Sequence, residues 1–114
     1  MHYNSTLMQI PDGYTYFPSG KIVSVVTYLQ MLKPSTLRPE GKPEWTLKPH
    51  RNPDLKWYRQ IFRAVGENWL WFSRLQMDDA ELRSQIHDPL VDIFSFEING
   101  AEKGLLELDR REKP

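Results

Sequence analysis

The apolar positions of this chain change their period along its length. Residues Lys21–Met31, KIVSVVTYLQM, are rich in β-branched and aromatic side chains and predict a strand. Val23, Val25, Leu29 and Met31 fall on one face and Ile22, Val26 and Tyr28 on the other, so this strand is expected to be covered on both sides. From Leu55 the spacing becomes three and four. Leu55, Tyr58, Phe62 and Val65, widened by Ile61, describe an amphipathic helix. Asn52-Pro53-Asp54 supplies its start, with Asn as the cap and Pro at the first helical position, and Gly66 supplies a left-handed end. Trp69, Phe72 and Leu75 predict one more short helical segment. Asp78 and Glu81 predict a capping box, opening a helix with Leu82 and Ile86 as its apolar stripe, which must close before Pro89. Val91 onward reads as a strand, Asn99-Gly100 as a tight turn, and Gly104–Asp109 as the antiparallel return.

The intervening segments are polar. Met1–Gly20 carries turn signals at Pro11-Asp12-Gly13 and Pro18-Ser19-Gly20. Leu32–Asn52 reads as a connection punctuated by Pro34, Pro39, Pro43 and Pro49, with Lys33, Arg38, Lys42, Lys48 and Arg51 as solvated charge. The expected class is α+β, with a mixed or antiparallel sheet of about three strands and two to three helices, in a single domain over residues 1–114.

Composition narrows the function classes. Lys+Arg and Asp+Glu are both 15, so no net field recruits nucleic acid or an anionic membrane, and little charge opposes self-association. There is no cysteine, which removes disulfides, thiolate catalysis and thiolate metal sites. No secretory signal or spanning segment is visible, so a cytoplasmic location is expected.

Candidate chemistry is sparse. His2, His50 and His87 are scattered without metal-ligand spacing, and Ser24, Ser73 and Ser95 lack a nucleophile-elbow context. The glycines form no phosphate cradle. The aromatic block Trp57, Tyr58, Phe62, Trp69, Trp71 and Phe72 is the richest feature. Tyr58 and Phe62 lie on the helix stripe and read as core. Trp69 and Trp71 point differently, and stand either as core or as the wall of a pocket with cation–π attraction for an amine. Glu107 and Asp109 share a strand face, and with Glu97 they read as guards of a sheet edge, a general base being the other reading.

Four stretches carry a family resemblance: PDGY at Pro11–Tyr14, KIVSVVTYLQM, GENWLWFSRL at Gly66–Leu75 and GLLELDRRE at Gly104–Glu112. They are similar to the opening half of the GNAT acetyltransferases, in a bacterial branch, and the similarity covers nearly the whole chain. The resemblance implies a parent activity of acetyl transfer from acetyl-CoA to an amine, with Trp57–Leu75 as the acceptor-facing wall and Trp69 and Trp71 as substrate-binding residues. In that family a later strand supplies the general base, and a [RQ]xxGx[GA] loop at a helix N-terminus binds the pyrophosphate. No residue of this chain matches that loop, so no catalytic or cofactor residue carries over. The chain alone is expected to be inactive and not to bind acetyl-CoA. The alternative is a non-catalytic interaction domain derived from the same fold. Without a neighbour for Gly104–Asp109, either reading implies a homo-oligomer through that edge, or a complementing chain that adds a strand.

Overall fold

The computed structural model describes residues 10–25, 27–41 and 43–112. His2, Val26 and Lys42, named above, lie outside them. The chain divides into two units, one from Glu40 onward and one comprising residues up to Pro39.

In the first unit, β1 (Trp45–His50), β2 (Val91–Ile98) and β3 (Ala101–Asp109) form one antiparallel sheet in the order β1-β2-β3. Between β1 and β2 come the helix α1 (Leu55–Gly66), two 3-10 turns at Glu67–Trp69 and Ser73–Leu75, and the helix α2 (Asp79–Ile86). The α+β class and the three strands agree with the sequence reading, but the first strand is a different segment.

In the second unit, the described residues of 21–31 form no strand. Val25 is 90% and Leu29 92% exposed, so the expected burial on two sides is corrected as well. Strand propensity describes a side chain that suits a pleated, half-buried surface, and it makes no strand without a partner's ladder. The strand lies instead inside the supposed connection 32–52. There Trp45 pairs with Ile98, Leu47 with Phe96 and His50 with Ile93. Pro49 is tolerated because β1 is an edge strand, where a missing N–H costs no ladder bond on the open side.

The start of α1 is also shifted from the expectation. Asp54, not Asn52, is the cap, its carboxylate accepting the Trp57 N–H at 3.0 Å. Asn52 takes a left-handed backbone (φ 47) in the turn before it. The capping box of α2 forms as read: Asp78 accepts the Glu81 N–H at 2.8 Å, and Glu81 accepts the Asp78 N–H at 3.3 Å. The turn at Asn99 (φ 52) and Gly100 (φ 76) places both residues in the left-handed region a tight hairpin demands.

Both helices lie on one face of the sheet. Tyr58, Leu82, Ile86, Val91 and Ile93 form the core, with Leu55, Phe62 and Leu105 packed against it. Burying such side chains contributes about 1.5–3 kcal/mol each. The other face has no cover among the described residues of this unit. It presents Trp45 and Leu47 from β1, Phe94 and Phe96 from β2, and Leu106 and Leu108 from β3.

Candidate functional site

The sequence of α1 and the turn after it builds a small hollow against β3. Tyr58, Phe62 and Val65 recur along one side of α1, and Leu105 and Glu107 share the helix-facing side of β3. Trp71 closes the end. These side chains border a half-open hollow of about 140 Å³.

Trp71 reaches this position through a tight reversal. Gly66 does not end α1 in a left-handed turn, as the sequence suggested; its φ is −108 and the 3-10 turn follows directly. The left-handed residue is Leu70, with φ 58, which throws Trp71 back onto the helix end. The Trp71 N–H donates to the Gly66 carbonyl at 3.0 Å. A Cβ at position 66 would stand 2.5 Å from the Trp71 Cβ, so glycine is required there by close approach. The indole remains 55% exposed.

Glu107 is the polar wall. One carboxylate oxygen accepts the Tyr58 hydroxyl at 2.7 Å, and the other accepts the Arg74 guanidinium at 2.6 Å. Burial, then the bond to Glu107, pushes the Tyr58 phenol far above its usual pKa, so it remains a donor to the carboxylate. Glu107 is therefore not the edge guard the sequence suggested. The two-residue period turns it inward under α1, and only Asp109 behaves as a surface charge. Arg111 hydrogen bonds hold the Asp109 carboxyl down at about 2.

Of the two tryptophans singled out in the sequence, Trp71 lines the hollow, whereas Trp69 is 74% exposed and does not. Trp57 belongs to another cluster. It stacks on His50 with ring centroids 4.1 Å apart and donates its indole N–H to Glu102 at 2.9 Å. His50 Nε2 lies 2.8 Å from Ser95 Oγ. Ser95 is fully buried, so this hydroxyl satisfies a core site and is closed to a substrate. A broader hollow of about 510 Å³ lies beside His50, His87, Asp88 and Asp92. Of the residues around it, His87 is engaged with the Pro53 carbonyl, Asp88 with the Leu90 N–H and Asp92 with Arg110, while Arg51 and Asn52 complete its rim. Among the described residues no three His, Asp or Glu side chains group for a metal, and no helix is long and apolar enough to cross a membrane.

Sequence reasoning missed the Tyr58–Glu107–Arg74 network and the Trp57–Glu102 bond. The periodicity placed Tyr58 and Glu107 on inward faces, but nothing local announces a partner 49 positions away. At the N-termini of α1 and α2, where a phosphate would bind, the carboxylates of Asp54 and Asp78 already stand, each accepting one backbone N–H.

The chain matches no family model, no curated protein and no solved structure.

Proposed function

We propose that this chain is the acceptor-side portion of a GNAT-type N-acetyltransferase, whose complete protein transfers an acetyl group from acetyl-CoA to an amine. The observation that carries the reading is the hollow itself. The GENWLWFSRL stretch, one of the four on which the resemblance rests, delivers Trp71 to a pocket whose polar wall, Glu107, comes from GLLELDRRE, another of the four. An aromatic wall beside a carboxylate suits an amine. The arrangement of two helices between β1 and an antiparallel hairpin supports the same reading. The part assigned to these residues is to hold the acceptor. No residue of this chain is assigned to acetyl-CoA or to the role of catalytic base.

The test is an assay of the protein encoded by the complete gene, incubated with acetyl-CoA and a panel of primary amines. Amine-dependent release of free coenzyme A thiol is expected. Release indifferent to every amine overturns the reading.

The second reading, a non-catalytic interaction domain, is favoured by a separate observation. The sheet face opposite the helices exposes Leu47, Leu106 and Leu108 beside Trp45, and among the described residues β3 has no neighbour on its outer side. Apolar faces and open strand edges of this kind are interaction surfaces. Under either reading, a second copy of the chain is the proposed partner at β3.

A further inference from the structure

We propose that the hollow between α1 and β3 binds an arylalkylamine, with a single aromatic ring inside and the amine nitrogen on Glu107. The choice of an amine rests on the acetyltransferase reading above. The ring rests on the hollow alone.

Size and walls select the ring. A closed apolar cavity of about 150 Å³ accommodates benzene, and this half-open hollow of about 140 Å³ has room for one such ring with its mouth edge in solvent. Its accessible aromatic walls are the partly buried Phe62 ring and the half-exposed Trp71 indole, with the fully buried Tyr58 ring, 6.0 Å from Phe62 at 27°, as their backing. The flat π surfaces of Phe62 and Trp71 favour a ring over an aliphatic chain, because aromatic pairs gain beyond their buried area.

The polar wall selects the head group. A carboxylate offers about four acceptor positions. Tyr58 and Arg74 each fill one on Glu107, one per oxygen. The capacity that remains accepts donors only, so a carboxylate or phosphate head group is rejected and an amine is received. Arg74 offsets the charge of Glu107, so discrimination comes from hydrogen bonding more than from net attraction. Trp71 adds cation–π attraction at the mouth. The indole is also fixed in advance: the missing Cβ of Gly66 and the left-handed Leu70 both serve to seat it. Leu70 caps the 3-10 turn in the left-handed region, its N–H donating to the Glu67 carbonyl at 3.1 Å, and this reversal directs the Trp71 indole toward the hollow.

The experiment is an NMR titration of the chain with benzylamine, benzyl alcohol and ethylamine, following the Trp71 indole N–H and the Leu105 methyl groups. Benzylamine should shift both saturably at concentrations of about 1 mM, the range a fragment of this size reaches. Ethylamine should bind at least tenfold more weakly, and benzyl alcohol several-fold more weakly. Glu107→Gln should weaken benzylamine about tenfold and benzyl alcohol less than about twofold, as expected for loss of a charge-assisted bond. Val65→Phe, which fills the hollow from its rim, should abolish binding of both aromatic probes. That variant carries the test if Glu107→Gln fails to fold.

Absence of saturation at Trp71, ethylamine binding as tightly as benzylamine, benzyl alcohol binding as tightly as benzylamine, or unchanged binding to Val65→Phe each overturns the proposal. Failure of the two readings separates cleanly. Benzylamine bound here but no amine acetylated by the complete gene product removes the acetyltransferase and keeps the site. Acetylation of other amines without benzylamine binding removes the site and keeps the acetyltransferase.

Discussion

On one face of the sheet, Val91, Ile93 and Ser95 lie beneath α1 and α2 with almost no solvent contact. Phe94 and Phe96 alternate with them along β2, and their neighbours Trp45 and Leu106 remain 41% and 36% exposed. The two faces draw on the same strands and are similarly apolar. They differ first in what lies on top. Alternation decides which residues share a face, but the helices decide which face becomes core. The covered face even carries the polar groups, Ser95 and Glu107, because helix side chains are there to satisfy them. The bare face has almost none, apart from the Asp92–Arg110 pair near one end. A solvent-facing sheet surface is ordinarily polar. An apolar one is a surface waiting to be covered.

The sharpest way to break this comparison is to cut one leucine from each face. Leu82→Ala, fully buried under the helix layer, should cost about 2–5 kcal/mol in denaturant unfolding. Leu108→Ala, 46% exposed on the bare face, should cost less than about 0.5 kcal/mol in dilute solution. Equal losses would mean that the bare face is covered in solution and that the contrast belongs to the isolated chain alone.

The second test concerns what covers it. Sedimentation at micromolar concentration is expected to show a homo-oligomer, since zero net charge gives little repulsion and no described residue pairs with the outer edge of β3. Leu106→Lys, which puts a charge on the bare face, should shift the distribution to monomer while leaving unfolding nearly unchanged. A wild-type monomer with protected amides along β3 would show that the edge is closed from within the chain.

How much of this was legible in the sequence depends on whether the signal was local. The capping box at Asp78, the stripe of Leu82 and Ile86, and the turn at Asn99-Gly100 are each complete within a few residues, and all formed as read. The strands required partners. Residues 21–31 have the stronger strand composition and form none among those described. Residues 45–50, with a proline, form one because Phe94, Phe96 and Ile98 offer a matching register. The hollow was half visible. Its aromatic residues stood out, but the separation of Trp71 from Trp69 depends on the left-handed turn at Leu70, and no leucine signals that conformation by itself. Glu107 looked like a surface charge because its partners, Tyr58 and Arg74, are distant in sequence.

A pH experiment probes the covered face further. The Tyr58 phenol is raised by burial and by Glu107, so its contribution to stability is complete below the unfolded phenol pKa of about 10 and is lost as the pH rises above it. Stability measured between about pH 9 and 11.5 should therefore fall more steeply in the wild type than in Tyr58→Phe. Parallel profiles would mean that Tyr58 ionises as freely when folded as when unfolded, and that its bond to Glu107 is absent in solution.

The smallest effect is expected outside both faces, at the end of β3. Asp109 is held at about 2 first by the Arg111 side chain and then by the Arg111 backbone N–H. The sign is opposite to that of Tyr58. A lowered carboxyl favours the folded state above its unfolded value of about 3.9, and the contribution is lost as the pH falls through about 2. Because the pair is open to water, salt and solvent screen it, and its effect on unfolding should be hard to detect. The carboxyl carbon itself is the better reporter. Its NMR titration should have a midpoint near 2 in the wild type, moving upward toward the free value in Arg111→Gln. A midpoint near the free value in both would mean that Arg111 spends its time elsewhere, with Gln85 of α2 the nearest alternative at 2.7 Å. In that case the end of β3 would be tied to the helix layer and would belong to the covered side of the sheet.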